Sequence, residues 1–255
     1  MPADNPIDRL LQASSVHHDW HDILASALQT VDRHYLQDLL DQPGWLPGRQ
    51  QIFRAFQRDR SHCRYILFGE SPYPRAQSAN GIAFYDAAVD ALWSDKGLSK
   101  GVNRATSLRN IIKTALLAEG LITPDGAGKI TQPMIADLEK TNLISNIHEL
   151  FDAMQQRGFL LFNATPVLHP TRKPLAEVKF WQDFIEQLLA AIAASSPAIP
   201  TLVLWGKIAQ QIQAIDVAGA FPQMVSEHPY NISFIHNHQM QRLFAQLRLL
   251  HRANT

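Results

Sequence analysis

The sequence predicts an α/β protein: a three-layer α/β/α arrangement around a central, four-stranded, mostly parallel sheet. Two observations carry this. Short apolar runs recur along the chain, at 64–68, 158–162, 201–205 and 223–226, and each closes on a turn opened by Gly69, Asn163, Gly206 or Glu227. Apolar runs without alternation suit strands covered on both faces, as parallel strands are. Stretches of helical periodicity lie between these runs, and strand–helix–strand order is how parallel neighbours are connected.

The elements follow in order. Residues 19–43 carry Ile23, Leu24, Leu28, Leu39 and Leu40 at roughly helical spacing and end at Gln42-Pro43-Gly44. Residues 48–60 read as a short helix. The first strand leads into a loop rich in Pro, Ser and Gly that runs to Gly81. A helix spans 105–119 and stops at Gly120. Residues 121–133 read as an exposed loop, and 134–156 as helical in part. After the second strand, 176–195 form a strong helix with Phe180, Phe184, Leu188 and Ile192 on one face. A short helix over 207–215 follows the third strand, and a closing helix spans 237–251. The chain is read as one domain over 1–255, with 1–16 as a loose N-terminal extension.

Composition narrows the function. Hydrophobic residues make up 46% and charged residues 18%, enough to bury a large core. Lys+Arg and Asp+Glu both number 23, which excludes a protein that coats nucleic acid by net charge, though not one with a local basic cleft. The one cysteine, Cys63, excludes a disulfide framework, a cysteine-based zinc site and a four-cysteine cluster, and fits a reducing cytoplasm. The eleven histidines include no HExxH pair, so neither metal nor cofactor is expected. No apolar run reaches the roughly 18 residues of a membrane span, and the start of the chain has no signal-peptide core. A cytoplasmic monomer is expected.

In open α/β sheets the binding crevice lies beyond the carboxyl ends of the strands. The turns there read Gly-Glu-Ser-Pro-Tyr-Pro from Gly69, Asn-Ala-Thr-Pro-Val-Leu-His-Pro from Asn163, Leu-Trp-Gly-Lys over 204–207, and His-Pro-Tyr-Asn-Ile-Ser from His228. With Trp20, Ile23 and Leu24, the 47–53 segment, and Ser107-Leu-Arg-Asn-Ile111 before them or between them, these turns stand in the order found in the uracil-DNA glycosylase superfamily. The chain resembles the family 1 enzymes of that group from about residue 17 to 250.

The resemblance implies a fold, a reaction and roles. The reaction is extrusion of a uracil or related pyrimidine from DNA and hydrolysis of its N-glycosidic bond, for base excision repair. His228 falls where the family donates to the uracil O2 as negative charge develops, and a neutral imidazole suits that task. Asn163 falls where an amide pairs with O4 and N3–H, having both a donor and an acceptor. Phe84 falls on the stacking aromatic, and Tyr73 on the residue that excludes a thymine methyl. Ile232 matches the leucine wedge that fills the gap in the base stack. Ser107, Gly206, Lys207 and Ser233 match phosphate-gripping positions, and Arg172 and Lys173 either extend that surface or are plain solvated charges.

The departures lie in the water-activating loop. Its family pattern is Gly-Gln-Asp-Pro-Tyr-His. Here Ser71 stands at the aspartate, Glu70 at the glutamine and Pro74 at the histidine. A hydroxyl neither stabilises an oxocarbenium-like cation nor orients water as a carboxylate does. The family 4 branch carries Gly-Glu-Ala-Pro-Gly with its functional glutamate at the position of Glu70. Glu70 is therefore assigned the carboxylate role, beside His228 and the altered Ser71. The difficulty is that neighbouring side chains in an extended segment point opposite ways. Two other readings stay open: a catalytically impaired protein that binds DNA through the same fold, and a glycosylase for a modified pyrimidine in foreign DNA.

Overall fold

The computed structural model describes residues 5–196 and 198–252. In chain order the elements are α1 (Pro6–Ala13), α2 (His21–Leu28), α3 (Arg33–Asp41), β1 (Tyr65–Gly69), β2 (Trp93–Ser94), β3 (Gly97–Leu98), α4 (Lys100–Arg104), α5 (Thr106–Ala118), α6 (Gln132–Ala136), α7 (Ile147–Gln156), β4 (Phe159–Asn163), α8 (Pro174–Ser195), β5 (Thr201–Trp205), α9 (Lys207–Gln213), β6 (Gln223–Ser226) and α10 (His238–Leu247). The main sheet has four strands in the order β4-β1-β5-β6 and is flanked by helices, the α/β/α class read from the sequence. A separate antiparallel pair, β2 with β3, was not expected.

The chain forms two compact units. The first comprises residues 1–86, 158–204 and 208–223. In it β1 pairs in parallel with β4, Tyr65 opposite Phe159 through Gly69 opposite Asn163, and with β5, Tyr65 opposite Thr201 through Phe68 opposite Leu204. Ile66, Phe68, Leu160, Phe162, Leu202 and Leu204 point to one face and pack in a single core with Leu24 and Leu28 of α2, Leu36 of α3, and Trp181, Phe184 and Leu188 of α8. Leu67, Leu161 and Val203 on the other face are also fully buried. Both faces are covered, which is why these runs do not alternate. The 174–195 helix opens on Pro174, whose fixed φ suits a first turn. Truncating Phe184 to Ala in such a core costs about 3–5 kcal/mol.

The second unit comprises residues 87–157, 205–207 and 224–255. Its helices α5, α7 and α10 are amphipathic, burying Leu108, Ile112 and Leu116, then Leu150 and Phe151, then Met240 and Phe244.

Several boundaries differ from the sequence reading. The 19–43 region is two helices, because Asp32 caps a new start by accepting from Tyr35 N–H at 2.8 Å. Residues 48–60 form turns and 3-10 pieces rather than a helix, with Ile52, Phe53 and Phe56 buried. The 1–16 stretch contains α1, whose Leu10 and Leu11 are buried; residues 1–4 lie outside the described residues. The 121–133 loop is exposed at its tip but buries Ile122 and Ile130. The closing helix ends at Leu247, before the left-handed Arg248. Among the described residues, no helix is long and apolar enough to cross a membrane.

Candidate active site

In the first unit the site residues gather at the carboxyl end of β1 and β4. Asn163, 5% exposed, faces Gly69 across the ladder. A methyl group on Gly69 would lie 2.3 Å from the Asn163 Oδ1 and 2.9 Å from the Ala83 Cβ. Only glycine leaves room for that amide. The sequence reading of Asn163 as a strand-end residue holds.

The first turn is braced from within. Tyr73 donates its hydroxyl to the Phe84 carbonyl at 3.3 Å, linking the two aromatic positions read from the sequence. Phe84 itself has φ of +64°, a conformation that costs an L-residue energy and fixes where its ring projects. Asn80 straps the segment, donating to Tyr85 O at 3.1 Å and accepting from Ile82 N–H at 2.9 Å. Arg75 pairs with the buried Asp86 at 3.1 Å. Burial, aided by the Asp86 carboxylate and opposed by Arg75, pushes the Tyr73 phenol up to about 12, so it stays protonated.

Glu70 and Ser71 are both exposed. The backbone beneath them is unusual. Ala164 N–H donates to Gly69 O at 2.9 Å and Thr165 N–H donates to Glu70 O at 3.0 Å. In a regular strand successive carbonyls point to opposite edges. Here two successive carbonyls face the same neighbour, so the pleat breaks between Gly69 and Glu70. The alternation that would turn Glu70 away from the site therefore no longer applies at that residue.

Arg172 requires a correction. Its guanidinium lies 3.2 Å from Asp38 and 3.6 Å from the fully buried Glu177, and stands over the Tyr35 ring at 5.0 Å. Glu177 in turn accepts from the Tyr35 hydroxyl at 2.6 Å, and Trp181 Nε1 donates to that hydroxyl at 2.9 Å. The charge is matched inside the protein and is not displayed to a phosphate. Lys173 beside it is exposed.

The second unit holds further residues read from the sequence. Gly206, at φ +73°, sits against His228: a methyl group there would come within 2.6 Å of the His228 Cβ. His228 Nδ1 accepts from Tyr230 N–H at 3.0 Å. That bond assigns the proton to Nε2 and makes Nε2 the donor of a neutral ring. Glu227 alongside is held ionised: burial alone would raise it, but its own N–H, Ser233 and Asn237 donate to it and lower it. The Ser233 hydroxyl, read as a phosphate contact, is thus engaged with Glu227 in this structure.

Ile232 begins a 3-10 turn over Ile232–His236 and is 77% exposed; Tyr230 beside it is 68% exposed. The turn is anchored from below. Asn110 of α5, 2% exposed, donates its amide to Pro229 O at 2.7 Å and also reaches Asn231 O at 3.3 Å. Phe234 packs edge-on to Trp205 with centroids 5.1 Å apart, and Trp205 Nε1 donates to the Met240 sulfur at 3.1 Å. Sequence reasoning noticed Asn110 only as part of a helix start and missed its bracing role. Ser107 is half-buried in the first turn of α5, and Lys207, the first residue of α9, is exposed. His236 and His238 line an open cavity of about 630 Å³ with Gln241 and Arg242.

No family model matches the chain. Curated relatives named uracil-DNA glycosylase do: one from Corynebacterium glutamicum is 25% identical over 90% of this chain and 84% of its own length, and one from Thermobifida fusca is 25% identical over 84% and 78%. Among solved structures, the wild-type UNG crystal structure from Nitratifractor salsuginis superposes with a TM-score of 0.91 at 39% identity, covering 97% of both chains. With that likeness across nearly the whole length, and relatives of one name, the chain belongs to the uracil-DNA glycosylase superfamily.

Proposed function

We propose that the chain is a monofunctional, metal-independent DNA glycosylase that extrudes uracil or a closely related pyrimidine from DNA and hydrolyses its N-glycosidic bond. The observation that carries this is the Asn163 amide seated over Gly69 beside the Tyr73–Phe84 pair, a shape suited to a flat base with uracil's donor and acceptor edge. Tyr73 excludes a 5-methyl group and Phe84 stacks on the ring.

The chemistry is cleavage of the bond between the base N1 and the sugar C1′. Negative charge moves onto the base and its O2, where the His228 Nε2–H donates. Positive charge develops on the sugar, and a carboxylate stabilises it and takes the proton of the attacking water. Glu70 takes that role, and the broken pleat supports it. Ile232 fills the vacated place in the stack, and Ser107, Gly206, Lys207 and Ser233 meet flanking phosphates once DNA draws Ser233 from Glu227. The protein works as a monomer in the cytoplasm, in base excision repair.

The test is base release from a uracil-containing oligonucleotide under single-turnover conditions. Wild type releases uracil, Glu70→Gln loses about 100-fold or more, and Ser71→Asp retains or gains activity. No abasic product at enzyme excess, on uracil and on modified pyrimidines, overturns the reading in favour of a DNA-binding protein without catalysis. Loss of activity in neither variant removes Glu70 from the mechanism.

A further inference from the structure

The turn that presents Ile232 presents a second large side chain. Tyr230 is 68% exposed, and among the described residues it is the one exposed Phe, Tyr or Trp. A single exposed aromatic is ordinary on a protein surface. Tyr230 differs in how firmly its backbone is held. Its N–H donates to His228 Nδ1 at 3.0 Å, and its carbonyl accepts from the Asn110 amide at 3.5 Å. The same amide reaches the carbonyls on either side, Pro229 at 2.7 Å and Asn231 at 3.3 Å. The Asn231 N–H closes the turn on His228 O at 2.9 Å. The backbone is fixed while the ring stands in solvent.

Such a ring has little entropy left to lose on binding. Its backbone is already ordered, and a tyrosine turns about only two side-chain torsions. Its flat face suits a nucleobase. Extrusion of a nucleotide leaves a gap two base steps high, about 7 Å at about 3.4 Å per step, and bares the faces of the flanking bases. Tyr230 and Ile232 are two residues apart, so their Cα atoms are separated by at most about 7 Å. Both side chains can engage one gap. The isoleucine fills volume but has no flat face to lay on a base. The tyrosine ring has one, and base–aromatic stacking tolerates any base.

We propose that Tyr230 is a DNA-binding residue that stacks on the base flanking the extruded nucleotide in the same strand. The contact rests on the glycosylase reading above and deepens it, because it does not need a second strand. Ile232 acts where a duplex stack has to be filled, whereas Tyr230 acts on single-stranded and duplex DNA alike.

The test uses the full chain and measures affinity and base release separately. Affinity is followed by fluorescence anisotropy on single-stranded and duplex oligonucleotides with a tetrahydrofuran abasic analogue at the target position. Tyr230→Ala is expected to weaken binding about 5- to 100-fold on both forms. Tyr230→Phe binds as wild type does, and Tyr230→Leu binds as weakly as Tyr230→Ala. The side chain is exposed, so all three variants keep the wild-type melting temperature. Placing a second tetrahydrofuran beside the first, on one side or the other, removes a flanking base; on one of the two sides, wild type and Tyr230→Ala become equal. Equal affinity of wild type and Tyr230→Ala on the first oligonucleotides overturns the proposal. So does weak binding by Tyr230→Phe, full binding by Tyr230→Leu, a loss on duplex alone, or a difference that survives removal of either flanking base. A wild-type protein with this Tyr230-dependent affinity that releases no uracil removes the glycosylase reading and leaves the stacking contact standing.

Discussion

Gly206 and His228 are packed so closely that the glycine's missing side chain is what lets the histidine stand where it does: a methyl group on Gly206 would sit 2.6 Å from the His228 Cβ. Gly206→Ala therefore displaces His228 and also strains a backbone at φ +73°, at a cost of about 1–2 kcal/mol. The expected result is a fall in single-turnover base release of about 10- to 100-fold. Gly44→Ala is the control: its φ is +103° but nothing lies within 4 Å of the added carbon, so it lowers the melting temperature and leaves base release unchanged. Equal activity in the two variants disproves the steric coupling.

Asn110 supports the segment that carries Ile232. Asn110→Ala strips donors from the Pro229 and Asn231 carbonyls, and an unmet buried polar group costs about 1–3 kcal/mol. The melting temperature falls, and base release from duplex DNA falls with it. A variant that melts lower but works normally on duplex substrate shows that the brace serves folding alone.

Ile232 is 77% exposed, so Ile232→Ala leaves the melting temperature unchanged. If its side chain fills the stack, the variant slows on duplex uracil substrate and much less on single-stranded substrate, where there is no stack to fill. Equal slowing on both substrates removes the wedge role.

Glu119 gives the second unit a pH-dependent stability. Burial pushes its carboxyl up to about 7, against donors from Leu250 and Leu249 and the charge of Arg157. Below about pH 4.5 the group is protonated in both folded and unfolded chains. As pH rises, the unfolded chain ionises first, so stability is lost until the folded carboxyl ionises near 7. His251, 3.5 Å away, is itself pushed down by burial and by the charges of Arg248 and Arg157. Wild type should thus lose melting temperature between about pH 4.5 and 7 relative to Glu119→Gln. Parallel melting curves across that range count against the assignment.

The strands were legible as short uninterrupted apolar runs closed by turn residues, and the long 174–195 helix because periodicity over many residues outweighs local noise. The β2–β3 pair was not, since two-residue strands have no period to read; a non-local bond, Leu98 N–H to the Gln132 side chain at 2.7 Å, helps place it. Arg172 was misread because a cation between prolines looks solvated. Its partner left a trace all the same: Glu177 shares a helical stripe with Trp181, Phe184 and Leu188, and a carboxylate on an apolar stripe needs a cation nearby. The bracing amide of Asn110 acts across a long sequence separation that no local pattern reveals.

The break in the pleat after Gly69 divides the chemistry into a fixed part and a movable one. The amide of Asn163, proposed above to read the base, is locked by strand parity, since slipping it one place would point it through the opposite face of the sheet. Glu70, the proposed acid, stands just past that lock, where on this reading substitution can hand its duty to an adjacent position without re-threading the sheet. The proposal thus ties specificity to the architecture and leaves the means of activating water to the loop.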